Sequence, residues 1–264
     1  MISRVLAVCM VILCGCIAGC ASAAAPFVRC DLQELVLVPQ GGRMIGTDNC
    51  WAHDYEQPQV WFRLDYVLYM GRTEVTIAQW ERLMGKYDRL YSPSMPVEVT
   101  WDQAMEYCRA FEKELSRQTG RKWECRLPRE YEWEYAACYG SPPTSDWWTG
   151  DMGWPFYDIG ESEWYEDTAN GPLPELHGVA LKRPNALGLY DMLGNISEWC
   201  DGWFSFDANV TWMLERGWQP QAKTDARPYR GGNYNSRLRE CIPCARYGAF
   251  PEQHLGFRIV ALPK

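Results

Sequence analysis

The sequence predicts an α+β domain of short helices and short strands joined by much ordered irregular structure. Three observations predict it. Two T-x-x-Q patterns open short amphipathic runs, as capping boxes do. Short β-branched and aromatic segments are punctuated by glycine turns. Residues 140–184 have no periodicity, yet they are rich in Trp, Pro, Gly and acids. Such a stretch carries too many large apolar groups for disorder and reads as a folded irregular layer.

Taken in order, residues 1–20 come first. Arg4 precedes an apolar run over residues 5–17, too short for a comfortable membrane span and ending in small residues, which is a signal peptide. Ile17-Ala18-Gly19-Cys20 resembles a bacterial lipobox, which makes Cys20 the lipidation site; ordinary cleavage after Ala21-Ser22-Ala23 is the alternative. The expected organisation is a leader over 1–20, a short tether over 21–33 and one domain over 34–264. The expected location is the bacterial cell envelope, with the membrane as partner through the lipid.

Residues 34–45 read as a strand, a Gly41-Gly42 turn and a second strand, and 65–70 as another strand. Thr76 and Gln79 cap a helix whose Ile77, Trp80, Leu83 and Met84 share one face, ended by Gly85. Thr100 and Gln103 cap a longer one, burying Ala104, Tyr107, Cys108, Phe111 and Leu115 and closing at Gly120. A strand over 123–127 follows. A third helix runs from Pro128 through Ala137, with Glu130 and Glu132 placed to favour its dipole. Short strands separated by glycine turns fill 188–260.

Composition narrows the function. The 264 residues carry 26 basic and 34 acidic side chains, a formal charge of −8, which argues against a nucleic-acid surface. The 3 His lie too far apart for a zinc finger or a helical metalloprotease motif. Of 12 Cys, those at 30, 50, 108, 125, 138, 200, 241 and 244 lie beyond the leader, an even set that suits disulfides in an exported chain.

The ordered motifs VLVPQGGRMIG, GRTEVTIAQW, PVEVTWDQAMEYCRAF, CRLPREYEWEYAAC, PNALGLYDMLGNISEWCDGWF, RGGNYN and GFRIV resemble the formylglycine-generating enzyme (sulfatase-modifying factor) family over roughly residues 34–262. The resemblance implies a C-type-lectin-like fold. It also implies an activity, oxidation of a sulfatase cysteine to formylglycine by two Cu(I)-binding cysteines four and nine residues after the second Gly of the RGG motif. Position 241 is Cys241, as that pattern requires, but position 236 is Ser236. A neutral hydroxyl is a poor Cu(I) ligand, so copper is not expected and Cys241 is left as one half of a degenerate catalytic pair. Cys241-Ile242-Pro243-Cys244 is nonetheless a C-x-x-C, able to hold a soft metal or a redox disulfide.

The resemblance further implies Cys138–Cys244 and Cys200–Cys241 disulfides, each worth about 3–5 kcal/mol in the chain-entropy model. Cys108–Cys125 and Cys30–Cys50 are then what remains. It implies calcium at Asn195 and Glu198 and, less completely, at Asn170. N-x-x-E is equally a helix capping box, with Asn195 as the cap. Tyr234, Asn235, Arg237 and Arg239 occupy the segment that faces ligand in relatives. The aromatic and acidic residues within 140–184 fit either a ligand cleft or a packed, solvated layer.

Three readings of function stand. The first is an exported, lipid-anchored binding protein for a protein or glycan ligand, without catalysis. The second is an oxidase of sulfatase cysteines with an atypical thiol site. The third is a surface binder diversified by retroelements.

Overall fold

The protein was analysed as a computed structural model, which describes residues 26–49, 52–89, 91–139, 164–165, 175–216 and 225–264. Among the described residues the strands are β1 (Phe27–Arg29), β2 (Glu34–Val38), β3 (Gly41–Ile45), β4 (Val60–Leu64), β5 (Leu68–Gly71), β6 (Trp123–Arg126), β7 (Glu198–Trp199), β8 (Arg227–Arg230), β9 (Tyr247–Ala249) and β10 (Val260–Pro263). The helices are α1 (Ile77–Met84), α2 (Trp101–Thr119), α3 (Glu130–Ala137) and α4 (Val210–Arg216). The expected mixture of short helices and short strands is what the chain forms. Among the described residues, no helix is long and apolar enough to cross a membrane.

An antiparallel sheet in the order β1-β2-β5-β10-β6 forms the centre. The last strand lies between two early ones, so the sheet closes only when the C-terminus arrives. On one side α1 and α2 bury Trp80, Tyr107, Phe111 and Leu115 together with Leu35, Phe257 and Ile259. The other side packs Val38, Leu68, Met70 and Val260 against α3 and the segment 187–193. Smaller sheets, β3-β4 and β7-β8-β9, complete the domain.

Both capping boxes form as expected. Thr76 Oγ1 accepts from the Gln79 N–H (3.3 Å) and Gln79 Oε1 from the Thr76 N–H (2.9 Å). Thr100 and Gln103 do the same at 3.3 and 3.0 Å, and Gly120 closes α2 in the left-handed region at φ +66°.

Two local expectations are corrected. Gly41 and Gly42 are not a hairpin turn but the start of β3, which leaves the central sheet and pairs with β4. Glycine is needed at 42 because the Trp61 ring lies across it: a Cβ there would meet Trp61 Cζ2 at 2.2 Å. Nor does Asn195 cap a helix, since Glu198 and Trp199 form β7.

Candidate functional site

The RGG segment turns back over the core between β8 and β9, and buried charges hold it there. Arg230 ends β8 with no exposed surface; its Nε donates to Glu130 Oε2 (3.0 Å) and its Nη1 to Glu134 Oε2 (3.1 Å). Arg246 donates to both oxygens of Glu130, at 2.7 and 2.9 Å. Burial alone would raise the carboxyl of Glu130, but Arg246 and Arg230 outweigh it and hold it below the usual range. Glu132, on another side of α3, is gripped by Arg126 through two 2.7 Å bonds. The carboxylates expected to serve the helix dipole are therefore mostly structural ion-pair partners. Nothing in the local sequence marks them, because their cations lie elsewhere in the chain.

A second cluster supports the turn from below. Glu198 receives Arg258 Nε and Nη2 at 2.7 and 2.6 Å and Trp133 Nε1 at 2.9 Å. Asn195, at φ +58°, donates through Nδ2 to Glu74 Oε1 (3.1 Å) and accepts the His177 N–H (3.0 Å). Its carbonyl accepts the Tyr234 N–H at 3.0 Å, so the turn after the RGG motif hangs on this residue. Beside it lie Glu74 and Asp191, both buried, each with one oxygen that no ordinary donor reaches. Burial and the neighbouring carboxylates push Glu74 up, and Asp191 is pushed up to about 6 by burial, with Glu198 adding to it. One proton shared between Glu74 and Asp191 satisfies the two orphaned oxygens.

These contacts bear on the calcium expectation. Glu198 faces a guanidinium with both oxygens, and both ends of the Asn195 amide are engaged by protein partners. As arranged, the pair does not fit a calcium site, because a dication would have to displace Arg258 from its carboxylate. Asn170 lies outside the described residues.

The thiol positions follow. Cys241 has no exposed surface, and its Sγ lies against Gly232, where an added Cβ would come within 2.6 Å. Gly232 is at φ +68°, which also favours glycine. Ser236 is buried, and its Oγ accepts the Asn233 N–H at 3.1 Å, closing the turn. Cys138, Cys200 and Cys244 are buried thiols whose pKa burial pushes upward, and Cys138 is close enough to Cys244 to add to that shift. Neither the expected Cys138–Cys244 nor the expected Cys200–Cys241 bond is formed, because Cys138, Cys200 and Cys244 are free thiols in this structure. Cys20 and Cys50 lie outside the described residues.

The four ligand candidates divide between two faces. Half-buried Tyr234 has its hydroxyl pKa raised by burial and then by Glu98 and Tyr91 across from it. Glu98 also lines a cleft of about 340 Å³ with Trp80, Tyr87, Arg89, Gln103 and His254. None of these cleft residues was expected from the sequence, although Trp80 and Gln103 were read as helix residues. Asn235 and Arg237 are exposed on the turn itself. Arg239 instead lines a separate cavity, with His53, Glu56, Glu240 and Tyr247. Among the described residues, no group of three or more His, Cys, Asp or Glu is arranged to hold a metal.

The profile of the sulfatase-modifying factor enzyme 1-like domain matches residues 21–262. The chain is 29% identical to the chaperone protein LppX of Paenibacillus barcinonensis, over 62% of this chain and 73% of that one. It is 31% identical to the formylglycine-generating enzyme of Streptomyces coelicolor, over 69% of this chain and 57% of the enzyme. Identity to the serine/threonine-protein kinase pkn1 of Chlamydia pneumoniae is also 31%, over 59% of this chain but 21% of the kinase. Among solved structures, PvdO from Pseudomonas aeruginosa superposes with a TM-score of 0.72 at 21% identity, over 91% of this chain and 100% of that one. Treponema denticola variable protein 1 gives 0.69 at 23% identity, over 88% and 95%. Both share this fold.

Proposed function

The chain belongs to the sulfatase-modifying factor enzyme 1-like domain family, and within it we propose a binding protein that has lost formylglycine chemistry and is held at the bacterial cell envelope by a lipid on Cys20. The observation that carries this reading is Ser236. A hydroxyl stands where the chemistry needs a second soft thiolate, and it is committed to the Asn233 N–H. Cys241 has no exposed surface from which to meet a substrate. The residues present do not fit a two-thiolate copper centre, and no step is derived through one.

The cleft beside α1, lined by Trp80, Tyr87 and Glu98, supports a binding role. It combines the aromatic Trp80 and Tyr87 with the basic Lys86 and Arg89, the acidic Asp88 and Glu98 and the imidazole of His254, a mixture suited to a polypeptide surface. A chaperone among the relatives supports a protein ligand over a glycan. Titration with Cu(I) and turnover of a C-x-P-x-R peptide test the loss of chemistry. The expected result is neither stoichiometric copper binding nor an aldehyde product; both together would restore the oxidase reading, which the identity to the Streptomyces enzyme favours. Palmitate labelling of the wild type but not of Cys20→Ala is expected for the anchor.

The likeness to a Treponema variable protein favours the third reading, a diversified surface binder. Sequences of the same locus from sibling strains decide it. Variation confined to about residues 233–254 supports diversification, and uniformity there rejects it.

A further inference from the structure

A second cavity, of about 220 Å³, lies on the face that holds Arg239, and its walls are His53, Glu56, Arg239, Glu240 and Tyr247. Two of these walls are aromatic and each is backed by another ring. His53 stacks on Tyr55 at 4.9 Å and 13°, and Tyr247 on Tyr229 at 5.4 Å and 20°. Such stacking holds both rings rigid, and the Tyr247 face carries a quadrupole that attracts a cation.

The charges of the lining differ from those of the buried ion pairs. Elsewhere the buried carboxylates Glu130, Glu132, Glu134 and Glu198 are each matched by an arginine. Glu56, only 4% exposed, accepts the N–H groups of His53 (2.9 Å) and Arg246 (3.2 Å) but forms no side-chain ion pair among the described residues. Glu240 accepts the Arg237 N–H through Oε2 (3.1 Å), which leaves Oε1 without a donor among the described residues. Exposed Arg239 likewise has no carboxylate partner among the described residues. Both carboxylates bear on Tyr247, whose hydroxyl pKa is raised first by burial and then by Glu240 and Glu56. Two acids and one arginine thus surround a small aromatic cavity without neutralising one another.

We propose that this cavity is a binding site for a cationic amino-acid zwitterion. An ammonium or guanidinium group sits between Tyr247 and His53 against Glu240 and Glu56, and a carboxylate meets Arg239. The volume is below that of a drug-sized site, roughly 300 Å³ or more, and suits a ligand of one amino acid. The site is separate from the cleft beside α1, so it stands or falls independently of the ligand proposed there.

Calorimetric titration with L-arginine tests it, with citrulline as the neutral isostere, agmatine lacking the carboxylate, and blocked arginine amide standing for a peptide-borne residue. L-arginine is expected to bind at least tenfold more tightly than citrulline. Glu240→Gln should weaken L-arginine at least tenfold. Arg239→Gln should lower L-arginine to the affinity of agmatine without changing agmatine itself. Both substitutions lie on the exposed turn over residues 238–240, and an unchanged thermal midpoint shows that they fold; His53→Ala, expected to weaken both cations, provides a variant outside that turn. The absence of L-arginine binding at 10 mM, equal binding of citrulline, or indifference to Glu240→Gln overturns the site. Blocked arginine amide binding as well as L-arginine overturns the contact with Arg239 and with it the zwitterion.

Discussion

Two buried charge clusters lie under the turn that follows the RGG motif, and α3 reaches both. In one, Glu130 and Glu134 face Arg230 and Arg246, two acids to two cations. In the other, Glu74, Asp191 and Glu198 share the single cation Arg258. Two guanidiniums hold Glu130 below its usual range, while burial still raises Glu134 beside it; in the second cluster burial first, and then the neighbouring carboxylates, push Glu74 and Asp191 upward. The first cluster is thus a fixed ionic clamp, and the second depends on a bound proton. Burial opposes ionisation in both clusters, and Glu130 overcomes it because two arginines reach it.

The comparison breaks most readily at the clamp. Arg230→Met leaves Glu134 without its guanidinium and half of Glu130's cation, and should cost about 3–5 kcal/mol in urea unfolding, the range for a buried pair broken on one side. Replacing Arg230 and Glu130 together by apolar residues should cost less than Arg230→Met alone; a larger loss would show that the clamp contributes net stability.

The second cluster should respond to pH. Asp191 ionises near 6 in the folded chain against an ordinary carboxylate value near 4 when unfolded, so its contribution is fully present below the lower value. It disappears as pH rises through about 6. Between these limits the wild type should lose on the order of 3 kcal/mol at most, less if Glu74 takes up the shared proton. Asp191→Asn should flatten the slope, measured as urea midpoints from pH 4 to 7. A wild-type slope unchanged in that variant would place the proton elsewhere.

Smaller effects test what holds the surroundings. Thr100→Ala removes one half of a capping box and should cost about 1 kcal/mol, with the denaturant slope unchanged. Calcium or a chelator should leave the thermal midpoint where it is, because Arg258 already occupies the Glu198 carboxylate. A rise with calcium that vanishes in Asn195→Ala would reverse that conclusion.

Much of the fold was legible in the sequence. Thr76 and Thr100 announce α1 and α2 because a capping box joins residues three apart, and the α2 face follows from helical spacing alone. The absent thiol at Ser236 was legible too, since it needs only a position counted from Gly232. What tertiary structure decided was which charge met which. N-x-x-E at 195–198 fits a cap or a calcium loop locally, yet Glu198 meets an arginine 60 positions away and Glu130 meets others 100 and 116 positions away. The same holds for Gly41, whose strand joins a different sheet from β2, and for Arg239, which lines a cavity with His53 and Glu56 from far earlier in the chain. Hydrogen bonds within one turn are fixed by backbone geometry and can be read from spacing. Ion pairs and cavities form between segments that only packing brings together, and no local pattern records them.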